Sequence, residues 1–326
     1  MNTTQAQLGA VLAAGGPELT RLLDETERRL AAVAGGYGDV LAGHAEGTLA
    51  AGGKRLRPIL VFLCGAGDRE RLVAAASAVE LLHMATLVHD DVLDRAQLRR
   101  GHPTVFAAAG RTAATATGDL LFSRAFAELA RPGGEESVSA LSAASTALAR
   151  GELVQRADAW DPEVTPERYL ERCRLKTSSL FEASCRLGAL VGARADLARA
   201  LGAFGGRIGL AFQLLDDVLD VSGPIERTGK PRGTDLLDGT VTLPLILARA
   251  RDRSLGRLDL RAEVTGPREA EAVCERIAAT GALDEARSRA LAEVAGAKED
   301  LASLDLTDER HRALELVADG VVERYA

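Results

Sequence analysis

The pentapeptide Asp-Asp-Val-Leu-Asp occurs twice in the sequence, at residues 90–94 and 216–220, and each copy ends a long segment rich in Ala and Leu. These two segments, 69–94 and 196–221, favour helices that are apolar around most of their circumference. Helices of this kind are buried in the middle of a helical protein, because a single packed face does not cover them. The sequence therefore predicts a bundle whose two central helices both end in carboxylates.

The rest of the chain also favours helices over strands. Aromatic residues make up only 3% of the sequence, so the core has to be built from small and aliphatic side chains, which suits closely packed helices better than a β-sandwich. Thr165, followed by Pro166 and Glu167, predicts the start of a helix that bends near Lys176. No convincing strand pairs occur. We expect an all-α fold of ten or more helices in a single domain, residues 1–326.

Charge and hydropathy exclude several classes of protein. The net charge of −7 argues against a nucleic-acid-binding surface. The longest apolar run, 72–88, contains Glu80 and His83, so we expect no transmembrane segment. The N-terminus has no basic region ahead of its apolar part, so no signal peptide is expected either. The scattered cysteines predict buried thiols in a cytoplasmic protein, and they are Cys64, Cys173, Cys185 and Cys274.

The spacing of the aspartates points to metal binding. Positions four apart share one face of a helix, so Asp90 is expected to converge with Asp94, and Asp216 with Asp220. The C-terminal end of a helix is unfavourable for anions, so these carboxylates require cations. Mg²⁺ suits them, because it accepts one or two carboxylates and completes its shell with phosphate oxygens. We expect six metal ligands, although two solvated helix ends are the simpler alternative: Asp90, Asp91, Asp94, Asp216, Asp217 and Asp220.

Lysine is rare in this chain, and its positions are informative. Of the 40 basic residues, all but four are arginines. Lys54 lies in a Gly-Gly turn, Lys176 interrupts a helical segment, and Lys230 lies in a polar loop after the second aspartate motif. Lys298 lies in an ordinary polar segment. A compact ammonium at the first three positions suits the binding of phosphate groups.

These motifs together resemble a known family, the all-trans isoprenyl (polyprenyl) diphosphate synthases. The resemblance covers about residues 45 to 250, and two aspartate motifs combined with GGKRLRP make it highly specific. The segments that carry it are GGKRLRP (52–58), HDDVLDRAQLRRGHPTV (89–105), GDLLFSRAF (118–126), GE–VQ (151–155), KTSSLF (176–181), FQLLDDVLD (212–220) and GKPRGTDLLDG (229–239).

The resemblance implies an all-α bundle around a central cavity, usually a homodimer, that condenses an allylic diphosphate with isopentenyl diphosphate using Mg²⁺. It implies that the allylic diphosphate is held through metal by the aspartates, with Arg99, Lys176 and Lys230 completing that site. The residues that resemble the isopentenyl diphosphate site are Lys54, Arg57, His83 and Arg100. Thr177 and Gln213 resemble residues beside the developing allylic cation.

Product length is expected to depend on the helix that carries the first aspartates. Leu82, Ala85 and Thr86 precede Asp90 by one to two turns and are expected to line the channel of the growing chain. In the family, short-chain enzymes resemble one another in having a bulky aromatic five positions before the first aspartate, where this chain has Ala85. The small residue favours a product longer than C20, preferably C30 to C50. Candidates for the deeper floor of the channel are Phe122 and Phe126.

Some alternatives stay open at this point. Many family members have Lys where this chain has Thr240, which removes one possible phosphate contact. A short-chain synthase making C15–C20 products is one alternative, and a class I terpene cyclase is another, although the cyclase has no need of GGKRLRP. A non-catalytic partner subunit would be expected to have lost one aspartate motif, and this chain retains both.

Overall fold

The computed structural model describes residues 3–36, 55–99, 101–130, 133–223 and 232–323, and this part of the chain is almost entirely helical. Within these ranges, the helices as far as residue 222 are α1 (Thr3–Ala14), α2 (Gly16–Gly35), α3 (Leu56–Cys64), α4 (Arg69–Leu93), α5 (Val105–Ala130), α6 (Gly134–Ala157), α7 (Pro166–Cys173), α8 (Ser179–Val191) and α9 (Ala198–Ser222). The remaining helices are α10 (Thr234–Leu237), α11 (Leu243–Arg251), α12 (Arg253–Gly256), α13 (Leu260–Glu263), α14 (Pro267–Ala279), α15 (Ala282–Ala302) and α16 (Asp308–Glu323).

The two apolar helices predicted to end in aspartates are confirmed as α4 and α9. Helix α4 begins after Asp68, whose side chain accepts a hydrogen bond from the backbone N–H of Arg71 and so caps the first turn. Of the described helices, α4 alone is long and apolar enough to cross a membrane, and 78% of its most apolar 18-residue window is buried inside the protein. That burial is typical of a core helix.

Two local features differ from the prediction. A hairpin of two-residue strands, β1 (Leu98–Arg99) and β2 (His102–Pro103), interrupts the helices, so the expectation of no strand pairs was wrong at this point. The pairs are too short to give the alternating pattern by which a sequence reveals a strand. The sequence predicts a helix from Thr112 to Ala130, whereas α5 begins at Val105 and is broken by Gly110, whose backbone is not helical.

The described residues form two compact units. The first comprises Met1–Ser145, Leu180–Gly205 and Leu301–Val317. Its core is built on α4, and it includes fully buried Leu82, Leu121 and Phe181. An ion-pair network ties α2 to α5, because Arg29 and Arg124 both bind the buried carboxylate of Glu128. A buried carboxylate with two arginine partners is satisfied and helps to fix the register of these helices.

The second unit comprises Thr146–Ser179, Gly206–Asp300 and Ala318–Ala326. Its buried side chains include Tyr169, and it also holds buried Arg172, which donates to the backbone oxygen of Val241. Between α7 and α8 the chain forms one π-helical turn, Arg174–Ser178, as a local widening of an otherwise continuous helix. This turn lies where the sequence predicts a bend, near Lys176. The organisation of the chain as one domain stays a prediction.

All four cysteines are buried and unpaired by disulfides. This confirms that they are structural thiols. Burial raises the pKa of the Cys173 and Cys274 thiols, with that of Cys274 at about 12, so neither ionises near neutral pH.

Candidate active site

The first aspartate motif, at the end of α4, separates into two kinds of carboxylate. Asp90 is half-buried and Asp94 is exposed, whereas Asp91 is only 4% exposed. Arg99, on β1, donates to Oδ1 of Asp91 from Nε at 2.9 Å and approaches it with Nη2 at 2.7 Å. Burial raises the pKa of Asp91, while Arg99 lowers it and Asp94 raises it further. The middle aspartate is thus buried against Arg99, whereas Asp90 and Asp94 are accessible to solvent.

The second motif, at the end of α9, shows the same division. Asp216 is exposed and Asp220 is half-buried, whereas Asp217 is 4% exposed. Oδ2 of Asp217 accepts a hydrogen bond from the Tyr169 hydroxyl at 2.6 Å, and Oδ1 accepts one from Nε2 of Gln213 at 2.7 Å.

The surroundings of Asp217 change its acidity. The pKa of Asp217 is raised to about 7, because burial, with a smaller contribution from Asp216, outweighs the lowering effect of Tyr169, Gln213 and Arg172. The carboxylate of Asp220 accepts a further hydrogen bond, at 3.3 Å, from the backbone N–H of Asp235. This contact joins the turn after the polar loop to the second aspartate motif.

The donor set fits a divalent cation that binds together with a phosphate. Within the described ranges no three carboxylate, imidazole or thiol groups lie close enough to hold a metal ion by themselves. Each motif does offer two carboxylates four residues apart on one helix, with access to solvent. Hard cations such as Mg²⁺ use one or two carboxylates and take their other ligands from phosphate and water. The residues therefore fit a cation bound with substrate, and the six predicted ligands stay a prediction.

Lys176 lies in the π-helical turn, against α6. Its Nζ is 2.5 Å from Oε2 of Glu152, and Arg156 also binds that carboxylate. A Cβ at Gly151 would lie 2.6 Å from the backbone nitrogen of Lys176, so only glycine permits this approach of α6 to the turn. Burial raises the pKa of Glu152, but Lys176 and Arg156 outweigh it and hold that pKa below its usual value. The GE pair of the sequence therefore positions the lysine.

Thr177, next to Lys176, is brought together with Gln213. Its hydroxyl donates to Oε1 of Gln213 at 2.6 Å. With the contacts of Asp217, four side chains form one continuous hydrogen-bonded series within the second unit, namely Thr177, Gln213, Asp217 and Tyr169. Sequence reasoning singled out the first three and missed Tyr169.

The residues predicted to bind isopentenyl diphosphate are partly described. The guanidinium of Arg57 lies 4.7 Å from the centroid of the Phe181 ring, which orients it by a cation–π contact. His83 is half-buried and lies seven positions before Asp90, two turns away on the same side of α4. Lys54, Arg100 and Lys230 lie outside the described residues. The predicted roles of all five stay predictions.

The residues predicted to set product length differ in exposure. Leu82 and Ala85 are fully buried, and Thr86 is half-buried, with its hydroxyl donating to the backbone oxygen of His83 at 2.7 Å. Phe122 is 37% exposed, and its ring centroid lies 5.3 Å from that of Phe126. Their assignment to a channel stays a prediction.

His89, just before the first aspartates, has a packing role. A Cβ at Gly118 would lie 2.2 Å from Nε2 of His89, so the imidazole fills the space that glycine leaves on α5. The same nitrogen is 3.3 Å from Oδ1 of Asp119. The GD pair of the sequence thus packs α5 against the end of α4.

Comparison with known proteins identifies this arrangement. The model of the family described as polyprenyl synthetase matches residues 39–279, most of the chain. The chain belongs to the polyprenyl synthetase family. Its fold is that of the isoprenoid synthases and its activity is that of a prenyltransferase, which decides against the terpene cyclase alternative.

Several named enzymes are similar to this polyprenyl synthetase. Heptaprenyl diphosphate synthase component 2 from Geobacillus stearothermophilus is 40% identical over 280 residues, covering 85% of this chain and 86% of its own. Geranylgeranyl diphosphate synthase from Methanosarcina mazei is 36% identical over 285 residues, covering 84% and 86%. A solved polyprenyl synthase from Caulobacter crescentus CB15, complexed with calcium and isoprenyl diphosphate, is 34% identical with a TM-score of 0.86 and covers 98% of both chains.

Proposed function

We propose that this polyprenyl synthetase condenses an allylic diphosphate with isopentenyl diphosphate, head to tail, to give an all-trans polyprenyl diphosphate longer than C20. The observation that carries the proposal is the division within both aspartate motifs. Asp90, Asp94, Asp216 and Asp220 reach solvent, while the middle carboxylates are buried with protein donors. Two such motifs suit a substrate whose charge is concentrated on a diphosphate.

The four outer aspartates are the proposed metal ligands, with Mg²⁺ as the metal. When bound, Mg²⁺ would neutralise charge on the diphosphate and make it a better leaving group. The calcium complex of the Caulobacter relative supports a divalent cation in this family. Asp91 and Asp217 act instead through their partners, because Arg99 holds Oδ1 of Asp91, and Tyr169 and Gln213 together hold both oxygens of Asp217.

The chain's own cations hold the two diphosphates. Lys176, oriented by Glu152, and Arg99, together with Lys230, bind the allylic diphosphate and stabilise the charge that develops on it. Lys54, Arg57, His83 and Arg100 bind isopentenyl diphosphate. Lys176 needs an orienting partner because a flexible ammonium otherwise loses side-chain entropy when it binds.

The reaction then follows from ordinary carbocation chemistry. The C–O bond of the allylic diphosphate breaks, and its electron pair leaves with the diphosphate. The double bond of isopentenyl diphosphate attacks the allylic cation and forms the new C–C bond. Loss of one proton, to the released diphosphate, restores a double bond. The oxygens of Thr177 and Gln213 stabilise the cation, and exclusion of water prevents its capture as an alcohol.

A product of C30 to C50 is the preferred range. Short-chain enzymes of the family resemble one another in having an aromatic residue at this position. Ala85 is smaller and leaves more room for a growing chain. The heptaprenyl synthase from Geobacillus supports a long product. The geranylgeranyl synthase from Methanosarcina favours the alternative, a C15–C20 enzyme. The product length is therefore part of the test.

We further propose a cytoplasmic homodimer that needs no partner of another kind. Helix α5 exposes Phe122 together with small apolar residues, and an exposed apolar face suits contact with a second copy. Buried free thiols and a net charge of −7 suit the cytoplasm. The word component in the name of the Geobacillus relative makes self-sufficiency a point to test.

The experiment uses the purified chain alone. It is incubated with labelled isopentenyl diphosphate and an allylic primer, with Mg²⁺ or with a chelator, and label in dephosphorylated prenyl products is counted. We expect incorporation that disappears with the chelator and returns with added Mg²⁺. Incorporation only after a second protein is added would refute self-sufficiency, and a cyclic hydrocarbon as product would refute the proposed reaction.

A further inference from the structure

In the hydrogen-bonded series formed by Thr177, Gln213, Asp217 and Tyr169, each donor and acceptor has a defined direction. Building on the proposed function, we propose that Tyr169 and Asp217 are positioning residues that fix the Gln213 amide, so that Gln213 and Thr177 present oxygen lone pairs to the allylic cation. The inference adds Tyr169 to the functional residues. It also gives Asp217 a role other than metal binding.

The contacts between Tyr169, Asp217 and Gln213 are short, and the first two side chains are buried. Tyr169 on α7 is fully buried, and its hydroxyl donates to Oδ2 of Asp217 at 2.6 Å. Asp217 is 4% exposed, and Oδ1 accepts from Nε2 of Gln213, one turn earlier on α9, at 2.7 Å. Both oxygens of this carboxylate are therefore engaged by protein donors.

The polarity follows from which groups can donate. In its ionised form Asp217 only accepts hydrogen bonds, so it holds the NH₂ end of the Gln213 amide and turns Oε1 the other way. Thr177 donates its single hydroxyl proton to that Oε1 at 2.6 Å. With this proton committed, the remaining lone pairs of Thr177 Oγ1 and Gln213 Oε1 can face a neighbouring positive charge.

Loss of the Tyr169 hydroxyl would weaken this arrangement. Asp217 would lose one of its two donors, and its hold on the Gln213 amide would loosen. An amide that flips presents N–H groups, whose positive ends oppose a cation. Because the cation exists only after C–O cleavage, the effect is expected on turnover and not on binding of the intact allylic substrate.

The test compares Tyr169→Phe and Asp217→Asn with the wild type. Tyr169→Phe keeps the ring and removes the hydroxyl, and Asp217→Asn introduces an NH₂ that can hold the amide oxygen and reverse the series. Thr26→Val is the matched control, because it also removes one buried hydroxyl, which donates to the backbone oxygen of Leu22. Thermal unfolding shows whether each variant is folded.

Two inhibitors separate a cation-stabilising role from general damage. One is an ammonium analogue of the allylic cation carrying a diphosphate, and the other is an unreactive allylic thiodiphosphate that resembles the intact substrate. We expect Tyr169→Phe to lower kcat about tenfold and to weaken binding of the ammonium analogue by a similar factor. A tenfold change corresponds to the loss of about one hydrogen bond to a charged group. The affinity for the thiodiphosphate and the KM for the allylic substrate should stay within about twofold of their wild-type values, as we expect for Thr26→Val.

Other results would overturn the inference. Equal weakening of both inhibitors would mean general structural damage, and unchanged kcat would mean that the hydroxyl does not matter. A higher Mg²⁺ requirement for Asp217→Asn would make Asp217 a metal ligand instead. An active wild type with an unaffected Tyr169→Phe sinks this inference alone, whereas an inactive wild type sinks it together with the proposed function.

Discussion

At the scale of single residues, the outer and middle aspartates of each motif have different surroundings, and we expect them to have different roles. Asp90 and Asp216 reach solvent, whereas Asp91 and Asp217 are buried with donors. Replacing Asp90 or Asp216 by Ala should lower turnover by at least about a hundredfold, because a preorganised electrostatic contact of this kind is worth several kcal/mol in the transition state. Stability without metal should be unchanged or slightly higher, because like charges are removed.

The check is steady-state turnover together with urea unfolding for each variant. Asp196→Ala is the matched control, because Asp196 is an exposed aspartate with one loose contact, 3.8 Å from Arg194. It should behave as the wild type. Near-normal turnover of Asp90→Ala would show that the two motifs do not hold the metal.

Two cations are expected to serve different substrates. Arg57, held over the Phe181 ring, belongs to the proposed isopentenyl diphosphate site, and Lys176, paired with Glu152, belongs to the allylic site. Arg57→Ala, like Lys54→Ala, should mainly raise the apparent KM for isopentenyl diphosphate. Lys176→Ala, like Lys230→Ala, should mainly impair use of the allylic substrate. Steady-state kinetics with each substrate varied in turn measures these effects. If the Arg57 and Lys54 variants change the kinetics in the same way as the Lys176 and Lys230 variants, the assignment of these residues to two different sites is wrong.

At the scale of elements, the π-helical turn and α6 depend on the Lys176–Glu152 ion pair. The folded pKa of Glu152 lies below its value in an unfolded chain, so the pair stabilises the fold fully above pH about 4.5 and loses this contribution as the pH falls through the folded pKa. Glu152→Gln should therefore lower the free energy of unfolding by about 1–2 kcal/mol at pH 7.

Urea unfolding of both proteins between pH 3 and pH 7 measures this difference. The gap between wild type and Glu152→Gln should close on the acid side. Glu263→Gln provides a control, because Glu263 is exposed and accepts only a backbone hydrogen bond. A gap that stays constant with pH would mean that the charge of Glu152 does not contribute.

Helix α4 is the element on which product length is predicted to depend. Ala85 is fully buried, five positions before Asp90, so Ala85→Phe inserts a ring beside the predicted channel. Products should shorten towards C15–C20 while the first condensation stays fast, because the aspartates are untouched. Chromatography of the dephosphorylated products measures this. An unchanged distribution in a folded variant would place the channel elsewhere.

Overpacking at a buried alanine costs about 1–3 kcal/mol, so Ala85→Phe needs a companion that is easier to accommodate. Thr86→Phe serves, because Thr86 is half-buried and nearer the aspartates. It should also shorten the products. Ser123→Phe, at an exposed position on α5, controls for an added ring and should leave the products unchanged.

The helices could be predicted because their signals are local. Ala and Leu content and the Thr165 cap are properties of neighbouring residues, and the structure has the central helices and this cap where expected. A π-helical turn lies where the bend near Lys176 is predicted. The same holds for aspartates four apart on one helix. Tyr169 could not be predicted, because its importance comes from a contact with Asp217, 48 positions later. The roles of Glu152 and His89 likewise depend on which helices pack together.

At the scale of the whole molecule, family membership and the residues of the site together concern the reaction that the protein catalyses. The chain is a polyprenyl synthetase, and the finer claim is that this protein alone, with Mg²⁺, builds a long all-trans chain. Self-sufficiency and product length are properties of the assembled enzyme, so both are measured on the purified protein.

The most direct test is chromatography of the dephosphorylated products that the purified wild-type chain makes from labelled isopentenyl diphosphate and an allylic primer. The account predicts Mg²⁺-dependent products that reach C30 to C50, with little alcohol from the primer itself. Products that stop at C15 or C20 would contradict the long-chain claim. No prenyl product at all from the folded protein with Mg²⁺ would contradict the account as a whole.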